Sequence, residues 1–210
     1  ITGLQMSVGK NLLADCFSIV ALGRPLIPKA FNDSDDENRK AILATFRAGE
    51  PAVCWDEAHK IHGSNLARLL TSEVYADRVL GVSTEAQFPN RMVWTALGNQ
   101  VQVLGDLQRR VYPIVLAPTC PNPENRSDDE YRHPNLREWT RQHRAELLSA
   151  CLTLVRAWYV AGGNRVRADM GSFEQWQGLV GGVLRHAGVE GFLTNRKSWG
   201  EASDFITEHW

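Results

Sequence analysis

The chain has 210 residues, of which 43% are hydrophobic, so it can bury the core of one compact domain, with or without a small helical lid. Its formal net charge is -1 at pH 7, which excludes the strongly basic composition that by itself indicates a nucleic-acid-binding protein. Any contact with DNA must therefore come from a local patch of residues.

Cysteine usage and hydropathy indicate a cytoplasmic protein with no membrane partner. The four cysteines form no Cys-x-x-Cys pair, and three lie in apolar stretches where a free thiol packs as a small hydrophobic group. The most apolar stretch, Leu147 to Gly163, contains Arg156 and has helical periodicity, so we predict a core helix and no membrane span. Because the chain opens at Ile1 without an initiator Met, we expect further sequence upstream.

Two helices are predicted early in the chain. Apolar positions recur at helical spacing from Lys10 to Val20. Ser34 and Glu37 form a capping-box pattern that begins a second helix, which ends before Gly49. The acidic run Asp33 to Glu37 is most simply the N-terminus of that helix, and a metal site is the alternative.

Four extended segments are predicted among the first 120 residues, and they are Ala52 to Trp55, Val79 to Phe88, Met92 to Leu97 and Val111 to Leu116. The first is apolar and ends at two carboxylates, as is typical of a buried parallel strand. No strand is predicted before Lys10. Strands separated by helices indicate an α/β fold with a parallel, doubly wound sheet, whose ligands bind at the carboxyl ends of the strands.

The second part of the chain is predicted to be helical. The polar segment Pro121 to Arg132 has the composition of a linker, so we divide the chain into a core of residues 1–120 and a helical lid of residues 121–210. In the lid, Ser172 and Gln175 form a second capping box, and Gly188 ends the helix that follows.

The segment from Leu4 to Asn11 resembles the phosphate loop GxxxxGK[ST] that precedes a helix. Backbone N–H groups from Gly9 to Leu12 would bind the phosphates of ATP, and the Lys10 ammonium would reach the outer ones. Leu4 replaces the first glycine of the motif. Asn11 replaces the hydroxyl ligand of Mg²⁺, for which its amide oxygen could substitute. An ordinary helix that begins at a glycine is the alternative.

Four further groups complete the predicted chemistry. Asp56 would hold Mg²⁺, directly or through water, and Glu57 would orient and deprotonate the attacking water. The alternative for this pair is an acidic cap at a strand end. Asn99 could bind the same water or the γ-phosphate. Arg109 or Arg110 could stabilise charge on a neighbouring subunit's nucleotide, the alternative being a structural surface pair.

These motifs, in this order, resemble the AAA+ ATPase module of primase-helicase proteins from bacteriophages and integrated mobile elements. The matching stretches are Gly9 to Asp15, Arg78 to Ser83, Phe88 to Arg91 with Trp94 and Gly98-Asn99, Gly105 to Ile114, Arg132 to Pro134, and Ser172 to Leu193. The resemblance implies a P-loop NTPase core with a helical lid, ATP and Mg²⁺ as cofactors, Asn99 as a sensor and an arginine finger in a homo-oligomeric ring.

The function that the resemblance implies is ATP-driven unwinding of DNA, single-stranded or forked, during replication of the element. A β-hairpin before the Asn99 strand would project into the ring channel, so Arg78, Gln87 and Arg91 become candidate DNA contacts, and a solvated edge hairpin is the alternative. Asp56 to His59 also spells the DEAH motif of another helicase superfamily, but that motif lies much farther from the Gly-Lys-Thr loop in those proteins, and this chain lacks their Gln/Arg-rich motif. The main alternative is that the altered loop belongs to a scaffold or regulator without turnover.

Overall fold

The computed structural model describes residues 1–3, 5–79, 81, 84–118, 120, 122–196 and 199. The strands in this part of the chain are β1 Thr2–Gly3, β2 Pro28–Ala30, β3 Ala52–Asp56, β4 Lys60–Ile61, β5 Val74–Arg78, β6 Glu85–Pro89, β7 Val93–Ala96, β8 Gly98–Asn99, β9 Gln102–Val103 and β10 Val115–Leu116. The α-helices are α1 Lys10–Leu22, α2 Asp35–Arg47, α3 Ser64–Thr71, α4 Leu136–Gln142, α5 Arg144–Val160 and α6 Glu174–His186.

The centre of the fold consists of two small parallel sheets that meet. In one, β1 lies between β10 and β8, and in the other β3 lies between β2 and β7. Strands β7 and β8 are separated only by Leu97, whose N–H donates to Trp55 O at 2.7 Å. Across both sheets the order is therefore β2, β3, then β7 and β8 as one continuous end-to-end position, then β1 and β10. The predicted α/β class, with parallel sheets flanked by helices, is confirmed.

A strand precedes the glycine-lysine loop, and the prediction that none would is wrong. This strand, β1, contains only Thr2 and Gly3, and two residues are too few to show a strand periodicity. Its pairing partners on both sides, β8 and β10, fix it in the sheet. The loop to α1 therefore starts from the middle of the sheet.

The first two helices and the apolar strand follow the prediction. The helix α2 begins after Ser34, whose Oγ accepts a hydrogen bond from Glu37 N at 3.4 Å. In β3, the residues Val53, Cys54 and Trp55 are buried. The strand predicted at Val111 to Leu116 is shorter than expected, because Pro113 has no N–H to donate and pairing is limited to β10.

Of the extended run predicted from Val79 to Phe88, residues 80, 82 and 83 lie outside the described residues, and Glu85 to Phe88 belong to β6, which pairs with β5 in an antiparallel hairpin. One face of this hairpin packs on α2, where Tyr75 stacks on Phe46 with ring centroids 4.8 Å apart. Arg39 donates to Asp77 at 2.7 Å. Burial acts to raise the pKa of Asp77, but hydrogen bonds from the Tyr75 hydroxyl, the next backbone N–H and Arg39 lower it overall. The charged carboxylate fixes the hairpin against the core.

The helices of the second part differ from the prediction in two respects. In α5, only Trp158 is buried, so the expected core helix is largely exposed on the described surface, with Tyr159 75% exposed. Apolar periodicity identifies an apolar face but not what covers it. The helix α6 begins after Phe173, and Ser172, with φ 68°, is not its cap. No helix among the described residues is long and apolar enough to cross a membrane.

Candidate functional site

Predicted site residues from three segments meet at the carboxyl edge of the parallel strands. The loop into α1 follows β1, Asp56 ends β3, and Asn99 ends β8. The strand β8 lies next to β1, and β7, which continues into β8, lies next to β3. Ligands of open α/β sheets bind at this edge, in the crevice outside the strand ends.

Two side-chain hydrogen bonds join these segments. Lys10 Nζ donates to Asn99 Oδ1 at 2.6 Å, although the two residues are 89 positions apart. Asn11 Nδ2 donates to Asp56 Oδ2 at 2.6 Å. The lysine therefore contacts the predicted sensor, and the residue in the place of the usual hydroxyl ligand contacts the predicted metal ligand.

The N-terminus of α1 is suited to an anion. Gly9 has φ 87°, no side chain caps the helix, and its first turn contains no acidic residue. The first N–H groups of any α-helix lack partners within the helix, and the helix dipole is positive at this end. The turn from Lys10 to Leu12 can therefore bind phosphate through its backbone. Leu4, the altered position of the predicted motif, lies outside the described residues.

Gly3 is a site residue that the sequence prediction missed. A Cβ atom added at Gly3 would lie 2.5 Å from Val8 Cγ2 and 3.1 Å from Gln5 O, so any larger residue would require the Val8 side chain or the loop to shift. In the motif GxxxxGK the two glycines are five positions apart, whereas Gly3 and Gly9 are one position further apart. The motif therefore aligns its first glycine with Leu4 and passes over Gly3.

Gly98 allows a second close approach, between β8 and the turn after β3. A Cβ atom at Gly98 would overlap the carbonyl oxygen of Ala58. In addition, Ala58 N donates to Leu97 O at 2.9 Å. The turn that carries Glu57 is therefore packed directly against the strand that ends in Asn99.

Three non-glycine residues around the site have left-handed backbone conformations. These are Ser7 with φ 59°, Glu57 with φ 52° and Gln100 with φ 47°, each after one of the three strands. Such a conformation costs about 1–3 kcal/mol and is found preferentially at functional sites. At Glu57 the strained backbone is held by a hydrogen bond from its N–H to Asp56 Oδ1 at 2.9 Å, and its side chain is exposed.

The residues at this edge fit a Mg²⁺ ion that arrives with a nucleotide. The described part of the chain contains no group of three or more His, Cys, Asp or Glu residues that could hold a metal by themselves. In nucleotide sites, however, Mg²⁺ is typically held by one or two carboxylates together with substrate phosphates. Each Asp56 oxygen accepts one hydrogen bond, from Glu57 N or Asn11 Nδ2, and keeps a lone pair for a cation.

A scan against known protein families finds no match, and a search of the curated proteins finds no similar one.

The two arginines proposed as a finger lie elsewhere and differ from each other. The Arg110 side chain is 13% exposed and donates to Ala67 O and Asp106, so it holds its own 3₁₀ helix, Gly105–Arg110, on α3. The Arg109 side chain is 63% exposed, and its ion pair with Asp106 raises its pKa. Of the two, Arg109 is accessible to a neighbouring molecule.

The candidate DNA contacts do not form one basic patch. Arg78 and Gln87 are exposed on the same face of the hairpin. Glu85 lies opposite Arg78 and accepts a hydrogen bond from Gln87 Nε2 at 3.0 Å, which reduces the positive potential there. Arg91 is exposed beyond the other end of the hairpin.

Proposed function

We propose that the chain is the ATP-binding and ATP-hydrolysing motor module of a DNA helicase or primase-helicase of the AAA+ P-loop kind. The observation that carries this proposal is the pair of contacts Lys10 to Asn99 and Asn11 to Asp56, beside an uncapped helix N-terminus. These contacts place an ammonium, two amides and a carboxylate together at one sheet edge, and such groups suit the phosphates and the Mg²⁺ of a bound nucleotide.

Each residue then has a role that its position allows. The backbone of Gly9 and of the first turn of α1 binds the phosphates, and the Lys10 ammonium is available to the outer ones. Mg²⁺ bound with ATP would neutralise developing charge on the phosphates, and Asp56 with Asn11 would hold it. Glu57, exposed at the same edge, accepts the proton of the attacking water.

Arg109 is the residue that we assign to the arginine finger. Subunits carrying Glu57→Gln and subunits carrying Arg109→Ala should each be inactive alone and should recover part of the ATPase activity when mixed. Mixing creates interfaces that combine an intact Glu57 with an intact arginine, and a finger contributes about 10³–10⁵ in rate. ATP hydrolysis is measured across mixing ratios, with chromatography to establish that both variants assemble. No recovery in assembled mixtures would make Arg109 structural.

The DNA part of the proposal is tested by ATP hydrolysis with and without single-stranded DNA. A motor module should turn over ATP faster with DNA, whereas a scaffold with the same fold would not.

Arg78→Ala with Arg91→Ala should weaken DNA binding and reduce the slope of log K against log salt by about 0.7 per lost phosphate contact. Arg47→Ala, which removes an exposed arginine of α2, is the matched control. An unchanged slope would remove the hairpin from the DNA interface.

A further inference from the structure

A cavity of about 210 Å³, partly open to solvent, lies between α1, the segment that leads into β2, the central strands and α4, and it adjoins the candidate site at Asn11. Cys54 and Leu97 line it from the sheet side, and each stands two residues before a site residue, Asp56 or Asn99. Residues two apart in an extended chain lie on the same face. Burial, followed by the charges of Asp56 and Asp15, raises the pKa of the Cys54 thiol to about 11.

On the helix side, Ala14 is buried and packs against Cys54 and Leu97, whereas Asn11 and Asp15 line the cavity and are more exposed. The rotation of α1 about its axis therefore decides where the Asn11 amide lies. A rotation of about 20° would move a Cα atom of α1 by roughly 1 Å, and a side-chain amide by more, given the radius of an α-helix. A displacement of this size away from Asp56 would lengthen the 2.6 Å bond from Asn11 beyond hydrogen-bonding distance.

Arg137 of α4 supplies a restraint on this rotation. Its Nε donates to Asp15 Oδ2 at 2.6 Å, and both residues line the same cavity as Asn11. Asp15 is four positions after Asn11 and therefore on the same face of α1. Arg144 Nε also donates to α1, at Ile19 O, but Ile19 lies about one turn further from Asn11 than Asp15 does.

We propose that Arg137 is a positioning residue for the metal end of the candidate nucleotide site. Its ion pair with Asp15 fixes the rotation of α1, and this rotation places Asn11 against Asp56. The inference rests on the proposed function. It also gives the helical region beyond residue 120 a part in binding the metal–nucleotide complex, since Arg137 belongs to α4.

The test separates metal-dependent from metal-independent binding. Calorimetry of the full chain with a non-hydrolysable ATP analogue is carried out in Mg²⁺ and in EDTA. Arg137→Ala should raise the Kd in Mg²⁺ by about 10-fold or more, the usual effect of removing a partner that orients a metal ligand, and leave the Kd in EDTA unchanged. Arg137→Lys should retain most of the affinity. Arg141→Ala is the matched control, because Arg141 lies on the same helix with the same 45% side-chain exposure, and its ion pair among the described residues is within that helix, with Glu138.

A second experiment asks whether Arg137 acts through Asn11. In an Asn11→Ala background, Arg137→Ala should cause no further loss of affinity in Mg²⁺. A loss that is equal with and without Mg²⁺, or that persists in the Asn11→Ala background, overturns the positioning role. Unchanged binding by Arg137→Ala overturns it as well, while the proposed function stands. A parent chain that binds no analogue in either buffer overturns the proposed function and the inference together.

Discussion

Lys10→Ala is expected to weaken ATP binding by about 100-fold, which corresponds to the upper end of the 1.5–3 kcal/mol that a charged hydrogen bond contributes. The variant removes the ammonium at the N-terminus of α1 and also leaves Asn99 Oδ1 without its donor. Both effects fall on the end of the site where the outer phosphates would bind. Isothermal titration calorimetry with Mg·ATP measures the change directly.

Lys40→Ala is a suitable control for this prediction. Lys40 is also near a helix N-terminus, but its partners are the surface carboxylates Asp36 and Glu37. Thermal unfolding of both variants establishes that the fold is kept. Equal ATP affinity in Lys10→Ala and the parent chain would mean that the segment before α1 is not a phosphate loop.

Glu57→Gln is expected to slow ATP hydrolysis by about 10²–10⁴-fold while ATP remains bound, the range that general base catalysis contributes. The amide has the shape of the carboxylate but cannot accept a proton from water. Binding should persist because the Lys10 and Asn11 contacts do not involve the Glu57 side chain. Single-turnover hydrolysis and calorimetry on the same preparation separate the two quantities.

Glu73→Gln, at an exposed position before β5, serves as the control for the loss of a carboxylate. Hydrolysis at the parent rate by Glu57→Gln would assign the base to another residue. If Glu57→Gln loses ATP binding together with hydrolysis, the Glu57 side chain instead supports the structure of the turn after Asp56.

Local patterns predicted the elements whose signals are long or chemically specific. The period of α1, the Ser34 cap of α2 and the apolar run of β3 each determine structure within a few residues. A Gly-Lys pair before a helix and acids after a strand also have distinct chemistry, and the structure brings Lys10, Asn11, Asp56 and Asn99 together at one sheet edge. The roles of these residues stay predictions. The division of the chain near residue 121 stays a prediction.

The remaining features depend on contacts between distant segments. The hydrogen bond from Lys10 to Asn99 spans 89 positions, and no local pattern specifies it. Asp15 and Arg137 resemble ordinary solvated charges on two helices, so nothing in the sequence pairs them. The prediction that α5 is a core helix fails for the opposite reason. The apolar period of this segment is clear, but the segment does not encode the neighbour that would bury its apolar face.

The contact between Gly98 and Ala58 restricts how the candidate site can move. With no room for a Cβ atom at Gly98, and with Ala58 N bonded to Leu97 O, the ends of β3 and β8 form one mechanical unit. Under the proposed function, Glu57 and Asn99 would then keep a constant spacing. A site that opens and closes around a nucleotide would do so by a displacement of α1, and not by a rearrangement of these two residues.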